Sequence, residues 1–481
     1  MKSIWRETCE IEERKPLDEN IETEVAVIGA GMTGILAAYY LQREGKDVVV
    51  LEAKKIGSGQ TQNTTAKVTS QHGLIYHALF KKYGKEKAQQ YALANETAIR
   101  EYQNIITDMQ IDCDFEYKNS YIYSKSRKEL EAEAKAACLL GLPAALTKEE
   151  LPLPFPVWGA VEFQNQAQFH PLKFLKAISE KVRVYENTEV ERVEGNKIIT
   201  KQGSVQAEKI IFACHFPFVN FPGMYFARIH QERSYVLALK DAAQVNGMYM
   251  GAEKGDYSFR NYGEYLLLGG MGHRTGKNAG SYEALRKAAE KWFPNNQEIC
   301  HWSAQDCMTL DKIPYIGQYS KENPDWYVAT GFQKWGMTTA MTAALIFRDL
   351  ICGQEVFYKD VFSPSRFSLS NISALLKETG HSIKGLGKRV LFIPGKEAED
   401  ILPGQAGVVL YKGKKVGIYK DMKGEIYAID IRCPHLGCQL EWNAAELSWD
   451  CPCHGSRFDY QGNLLNNPAH KRNCKRKNFI P

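Results

Sequence analysis

The chain has no run of 18 apolar residues. The nearest approach, Met337 to Cys352, carries Arg348 and Asp349, so no membrane span is expected. The opening MKSIWRETCEIEERK has no apolar stretch of the kind that directs export, and a cytoplasmic location is expected. An excess of one charge is missing too. Lys and Arg number 61 against 56 Asp and Glu, a net +5 spread along 481 residues, which argues against a nucleic-acid or anionic-membrane partner. No internal repeat is visible. A 44% hydrophobic and 24% charged composition excludes a largely disordered chain and leaves room for two to four domains. Twelve cysteines are too few for a disulfide scaffold. Seven stand singly and Cys474 lies near the end, but Cys433, Cys438, Cys451 and Cys453 crowd together. Without an export signal, such crowding reads first as a metal site.

What is present begins with TEVAVIGAGMTGILAAYYLQREGKDVVVLEA. Thr23 to Ile28 is a β-branched apolar run, Met32 to Glu44 has helical periodicity ending at Gly45, and Asp47 to Leu51 is a second apolar run: a βαβ unit. Val182 to Tyr185, Lys209 to Ala213 and Trp326 to Thr330 read as further strands of the same sheet. Gly29, Gly31 and Gly34 stand between the first strand and the helix. The first permits a tight turn, the second lets a pyrophosphate reach the backbone, and the third lets the helix close on the strand. Glu52, ending the second strand, is placed to accept ribose hydroxyls; the alternative is an ordinary glycine turn. Residues 75 to 150 are rich in helical pattern, SYEALRKAAEKWF is an amphipathic helix, and YKG and MKG near the C-terminus look like hairpin turns.

Together with the Gly/Ser/Thr-rich loop after Glu52, FHPLKFLKAI, and MTLDKIPYIG…WYVATGFQKWGMTTAMTAALIFRDLICG, these residues resemble the glycine oxidase and sarcosine oxidase superfamily of FAD-dependent oxidoreductases over residues 21 to about 355. The resemblance implies FAD, with its pyrophosphate at Gly29, Gly31 and Gly34 and its ribose at Glu52. It puts Ser58, Gly59 and Thr65 near the phosphates or flavin, Val190 on the adenine, and Gly331, Gly336, Met337 and Thr338 near the isoalloxazine. Asn63 stands where some relatives carry a flavin-linked histidine, so non-covalent FAD is expected. Cys307 is a conceivable thioether site for the flavin, but a buried thiol is the favoured reading.

The cysteine-rich stretch reads CPHLGC and then CPCHGSRFD. Cys433 and Cys451 offer two thiolates and His435 and His454 two imidazoles, a set that suits a [2Fe–2S] cluster of the Rieske type; a zinc ribbon is the alternative. The stretch from about 390 to 468 resembles Rieske proteins of the quinol-oxidising respiratory type. That resemblance implies a disulfide between Cys438 and Cys453, and a tuning hydroxyl at Ser456. Phe458 replaces the tyrosine that donates to a ligand thiolate there, so an intermediate reduction potential is expected. The remaining histidines lack the grouping with a carboxylate that a mononuclear iron requires, which favours electron transfer over oxygenation.

The expected fold is an α/β, Rossmann-like FAD-binding domain (21–75, 150–215 and 300–360) interrupted by an α+β substrate domain (76–149 and 216–299). A linker (361–389) and an all-β Rieske domain (390–481) follow, with a basic tail, KRNCKRKNFIP, in place of a usual closing strand. The expected function is oxidation of a small amine or amino acid, with electrons passing from FAD to the cluster and on to an external one-electron acceptor. An oxidase using O₂ directly, or a redox partner without its own substrate, are the alternatives. In relatives that oxidise glycine or D-amino acids, an arginine clamps the substrate carboxylate. Asp306 stands in its place, with Lys334 nearby, and both are candidate catalytic residues.

Overall fold

The computed structural model describes residues 2–148, 150–277, 281–366 and 397–470. The chain divides into two compact units. Among the described residues, one comprises 2–148, 150–215, 234–272 and 281–366; the other comprises 216–233, 273–277 and 397–470.

The first unit contains an eight-stranded sheet. Its order is Tyr315–Gln318, Trp326–Thr330, Ser204–Phe212, Asn20–Ile28, Val48–Leu51 and Arg183–Tyr185, with the hairpin Val190–Glu194 and Lys197–Thr200 beside Ser204–Phe212. The inner pairings are parallel. That accounts for the unbroken apolar runs: Val48–Leu51 is buried at every position, as strands covered on both faces must be. The helix Met32–Arg43 packs on the helix Gly336–Ile351. Small side chains at Ala37, Ala38, Ala340, Ala343 and Ala344, all buried, let the two helices approach closely.

A second, nine-stranded sheet runs in the order Gln297–Thr309, Ile229–Lys240, Tyr265–Arg274, Ser258–Tyr262, Met248–Gly251, Glu116–Ser124, Gly159–Gln168 and Lys67–Val68, with Ala144–Thr147 alongside. The helix-rich stretch forms Tyr76–Asp108 and Arg127–Leu139 but also supplies two of these strands. The polypeptide from 361 to 366, assigned from sequence to the linker, belongs to the first unit: Val361 and Phe362 are buried and Arg366 is paired with Asp311 at 2.9 Å. The rest of the expected linker, 367–389, and the basic tail 471–481 lie outside the described residues.

In the second unit, Ala406–Tyr411, Lys414–Lys420 and Ile426–Asp430 form one antiparallel sheet. Glu441–Asn443, Ser448–Asp450, Arg457–Asp459 and Leu464–Asn466 form another. The YKG and MKG turns fall between the strands of the first, with Gly413 and Gly424 at φ +72° and +90°. Gly417 is where the two sheets press together: a Cβ there would lie 2.9 Å from the buried Trp449 ring and 3.0 Å from Ile431. Stretches 216–233 and 273–277, assigned from sequence to the substrate domain, group with these sheets.

Candidate functional site

The glycine loop closes as its sequence demands. Gly29 has φ +109°, and a Cβ on it would lie 2.7 Å from the Ala213 carbonyl oxygen. A Cβ on Gly34 would fall 1.9 Å from the Gly29 oxygen, so the helix can rest on the strand only with glycine there. Gly31 has only the Thr61 hydroxyl oxygen in range, at 3.3 Å, which leaves its backbone open to a ligand. Gly31 is the N-cap of Met32–Arg43 and offers no side-chain cap. The Met32 N–H is met by Thr61 Oγ1 at 3.0 Å. Glu52 accepts from the N–H groups of Ala30 and Lys54, each at 2.9 Å. Burial raises its pKa, and these two donors oppose the rise. An acidic side chain is thus fixed at the end of the second strand, against the glycine turn that opens the helix. This cradle fits the adenosine diphosphate half of FAD.

The other expected flavin residues gather around two connections. Thr338 Oγ1 accepts from the Thr69 N–H at 2.9 Å and donates to the Thr69 oxygen at 2.8 Å. It thereby ties the loop after Glu52 to the start of Gly336–Ile351, a helix with no side-chain cap on its first turn. Met337 is held through its carbonyl by Tyr102, and Gly331 turns the chain at φ +75°. Thr65 receives the Lys67 ammonium on its hydroxyl at 3.1 Å and Arg260 on its carbonyl at 2.8 Å. Ser58 accepts from the Lys55 N–H at 3.3 Å, and Gly59 is exposed. Val190 is buried two residues after Thr188, whose N–H bonds to the Glu52 carbonyl. Asp306 is half-buried on Gln297–Thr309. The thiol of neighbouring Cys307 is pushed well up, first by burial and then by the Asp306 charge. Lys334 has φ +94°, and its ammonium lies 3.0 Å from where a Cβ on Gly272 would stand.

Sequence reading missed Thr61, Lys67 and Arg260. Lys67 is buried, and desolvation with the Arg260 charge pushes its pKa down to about 7. Only position in the fold, not residue type, marks these three.

In the second unit two loops of matching form face each other. The Cys433 N–H bonds to the Cys438 carbonyl and the Gly437 N–H to the Cys433 carbonyl. The Cys451 N–H bonds to the Ser456 carbonyl and the Gly455 N–H to the Cys451 carbonyl. Gly437 and Gly455 take φ +83° and +85°. A disulfide, Cys438–Cys453, joins the loops. The sulfurs of Cys438, Cys451 and Cys453 lie within 4.8 Å of one another, but the disulfide uses two of them. The thiols left for a metal here are Cys433 and Cys451, both buried. The Cys433 thiol is raised by its hydrogen bond with Cys451 and by burial. Cys451 is lowered by that same bond and by the N–H groups of His454, Cys453 and Gly455. The imidazoles of His435 and His454 have centroids 4.9 Å apart. Burial pushes their pKa values down to about 4 and about 3, so both rings are neutral at pH 7, as a metal ligand must be. His435 Nδ1 is buried with no hydrogen-bond partner. Two thiols bathed in backbone N–H groups and two neutral imidazoles, one with an orphaned nitrogen, fit a [2Fe–2S] cluster. Ser456 bonds to the Cys433 sulfur and accepts from the Ala469 N–H at 3.0 Å. Phe458 is fully buried opposite Trp449.

Residues 24–350 match the FAD dependent oxidoreductase family. The chain belongs to that family. Residues 392–478 of this oxidoreductase match the Rieske [2Fe-2S] domain, so the C-terminal domain is of the Rieske type rather than a zinc ribbon. The two matches imply FAD and a [2Fe–2S] cluster as its cofactors. It is 37% identical over 490 residues to a Rieske 2Fe-2S iron-sulfur protein of Bacillus subtilis, YhfW, covering 98% of this chain and 96% of that one. A stretch of 62 residues is 45% identical to cytochrome b6-f complex iron-sulfur subunit 1 of a Nostoc species, covering 12% of this chain and 35% of that one. Among solved structures, glycine oxidase of Geobacillus kaustophilus superposes with a TM-score of 0.61 at 18% identity, covering 72% of this chain and 99% of that one. L-proline dehydrogenase of P. horikoshii gives 0.61 at 20%, covering 72% and 98%. No helix among the described residues is long and apolar enough to cross a membrane.

Proposed function

We propose that this flavoprotein oxidises a small amine and delivers the electrons, through its Rieske cluster, to an external one-electron acceptor. The observation that supports the reading is two candidate cofactor cradles in one polypeptide: the glycine loop with Glu52, and the paired loops bearing Cys433, His435, Cys451 and His454. Bound FAD would supply a two-electron acceptor for a C–H bond next to nitrogen, and the cluster a one-electron relay. The chain's own part is to bind and orient. Glu52 and the turn at Gly29 to Gly34 hold the nucleotide, and the Thr338–Thr69 connection fixes the helix start at Gly336. Asp306 and Lys334 are the candidates for sorting substrates. Unless Lys334 neutralises it, Asp306 would meet a substrate carboxylate as a like charge, at a cost of several kcal/mol in a poorly solvated pocket. A second, distal ammonium would instead find a counter-ion there, while the reacting nitrogen stays neutral. A diamine or polyamine-derived substrate fits this charge pattern.

The test is anaerobic stopped-flow mixing with a diamine series and with glycine, sarcosine and D-alanine, following flavin and cluster absorbance together. The expected result is flavin bleaching followed by cluster bleaching, with kcat/KM highest for a diamine and the order reversed in Asp306→Arg. Flavin reduction that leaves the cluster oxidised points to an oxidase. No reduction by any amine points to a redox partner without its own substrate. D-alanine outpacing every diamine overturns the substrate assignment.

A further inference from the structure

The two cluster loops are not surrounded by Rieske residues alone. Asn220, in the stretch 216–233 that clusters with them, places its Oδ1 3.1 Å from Nε2 of His435. An amide oxygen only accepts, so the contact requires the proton on Nε2 and leaves Nδ1 bare. That is the nitrogen found buried and without a partner. The opposite tautomer would put a proton on the nitrogen that must bind iron. Phe226, six residues on, stands edge-on to both imidazoles, with centroids 6.4 Å from His435 and 6.0 Å from His454. Gln231 then donates to the His454 carbonyl at 2.7 Å and the Asn467 carbonyl at 3.0 Å. From the other stretch, Arg274 donates to the carbonyls of Pro452 and Cys453, each at 3.1 Å. Gly455 and Gly276 are held to glycine by this closeness: a Cβ on either would meet Gln231 at 2.7 Å or Pro452 at 2.6 Å.

We propose that Asn220 is a positioning residue for the cluster ligand His435. It accepts a hydrogen bond from the Nε2–H, turns Nδ1 toward the cluster, and with Phe226 withholds that N–H from an outside hydroxyl such as a quinol. The inference rests on reading Cys433, His435, Cys451 and His454 as the ligands. An oxygen accepting from the far nitrogen makes an imidazole a stronger donor to its metal. It therefore favours the oxidised cluster and lowers the reduction potential. The same contact makes the acceptor of this oxidoreductase a partner that needs no hydrogen bond to His435.

The experiment uses the full-length holoprotein, as wild type, Asn220→Ala and Asn220→Asp, with EPR-monitored redox titration and pulsed-EPR detection of nitrogen coupling in the reduced state. Asn220→Ala should favour reduction at fixed potential at least threefold, about 28 mV at 59 mV per decade for one electron. The near-isosteric Asn220→Asp should shift it the opposite way. One of two nitrogen couplings should change in each. Excess 1,4-hydroquinone should alter the EPR line shape of Asn220→Ala but not of wild type. Equal potentials and couplings in all three proteins overturn the proposal, as does a hydroquinone effect on wild type. A wild-type signal with no nitrogen coupling overturns the ligand assignment instead.

Discussion

Glu133 accepts from the N–H groups of Tyr76 and His77, at 2.7 and 2.8 Å, and so caps the first turn of Tyr76–Asp108 with a buried carboxylate. Burial raises its pKa from 4.5 to about 7 even though those N–H groups pull the other way. Between these values the native protein keeps a proton that the unfolded chain has released, so stability declines as pH rises through this window. The full effect is about 3 kcal/mol at 1.36 kcal/mol per unit. Glu133→Gln removes the titration. The denaturant midpoint of wild type minus that of the variant should fall from pH 5 to 8, which cancels the buried histidines and Lys67 common to both; parallel curves would mean that Glu133 titrates alike in both states. Nothing in KELEAEAKAA distinguishes this glutamate from its exposed neighbours. Asn220 and Phe226 were equally illegible, because each acts on a residue more than 200 positions away and leaves no local pattern. The glycine turn, Glu52 and the facing Cys/His loops stand out in the sequence as candidates because such chemistry needs neighbours at short, fixed spacing.

The βαβ unit was legible for the same reason: strand, turn and helix are consecutive, and the apolar runs change period at Gly29 and Gly45. The strands Glu116–Ser124 and Ala144–Thr147 were hidden in a stretch dominated by helical pattern, since strand pairing is decided by distant partners such as Gly159–Gln168. The glycine loop separates two roles that alanine can test. Gly31→Ala meets only a hydroxyl at 3.3 Å, so the apoprotein should unfold at the wild-type temperature while FAD affinity drops at least tenfold. Gly34→Ala meets a backbone oxygen at 1.9 Å. The gain of up to ~1 kcal/mol in helix propensity is outweighed by overpacking of about 1–3 kcal/mol, and the apoprotein itself should melt earlier. Thermal scans of both apoproteins and FAD fluorescence titrations check the contrast. Equal melting of the two variants would mean the helix is free to shift off the strand.

Across the whole molecule, the order of cofactor domains was readable but the membership of the second unit was not. Residues 216–233 and 273–277 lie inside the stretch that matches the FAD dependent oxidoreductase family, yet they group with the Rieske sheets. Composition does not change at these borders. The firmest connection is ionic: buried Arg233 meets Glu446 at 2.6 Å, and Glu446 also holds Arg457, which in turn holds Asp450, both at 2.9 Å. Removing one member of such a network leaves a charge in a dry setting, at about 3–5 kcal/mol. Arg233→Met should therefore lower the unfolding midpoint of the Rieske sheets, seen as faster loss of iron to a chelator, while flavin retention holds. Equal iron-release rates would mean Arg457 alone suffices for Glu446.

The bond from Gln231 to His454 spans 223 positions. At ribosomal speeds of roughly 5–20 residues per second, Gln231 and Arg233 wait about 11–45 s for their partners to be made. The first unit is complete once Arg366 has emerged, well before Cys433. Assembly in the cell thus has a built-in order: the nucleotide cradle is whole while the iron site is still unwritten, and iron delivery is the later step of the two.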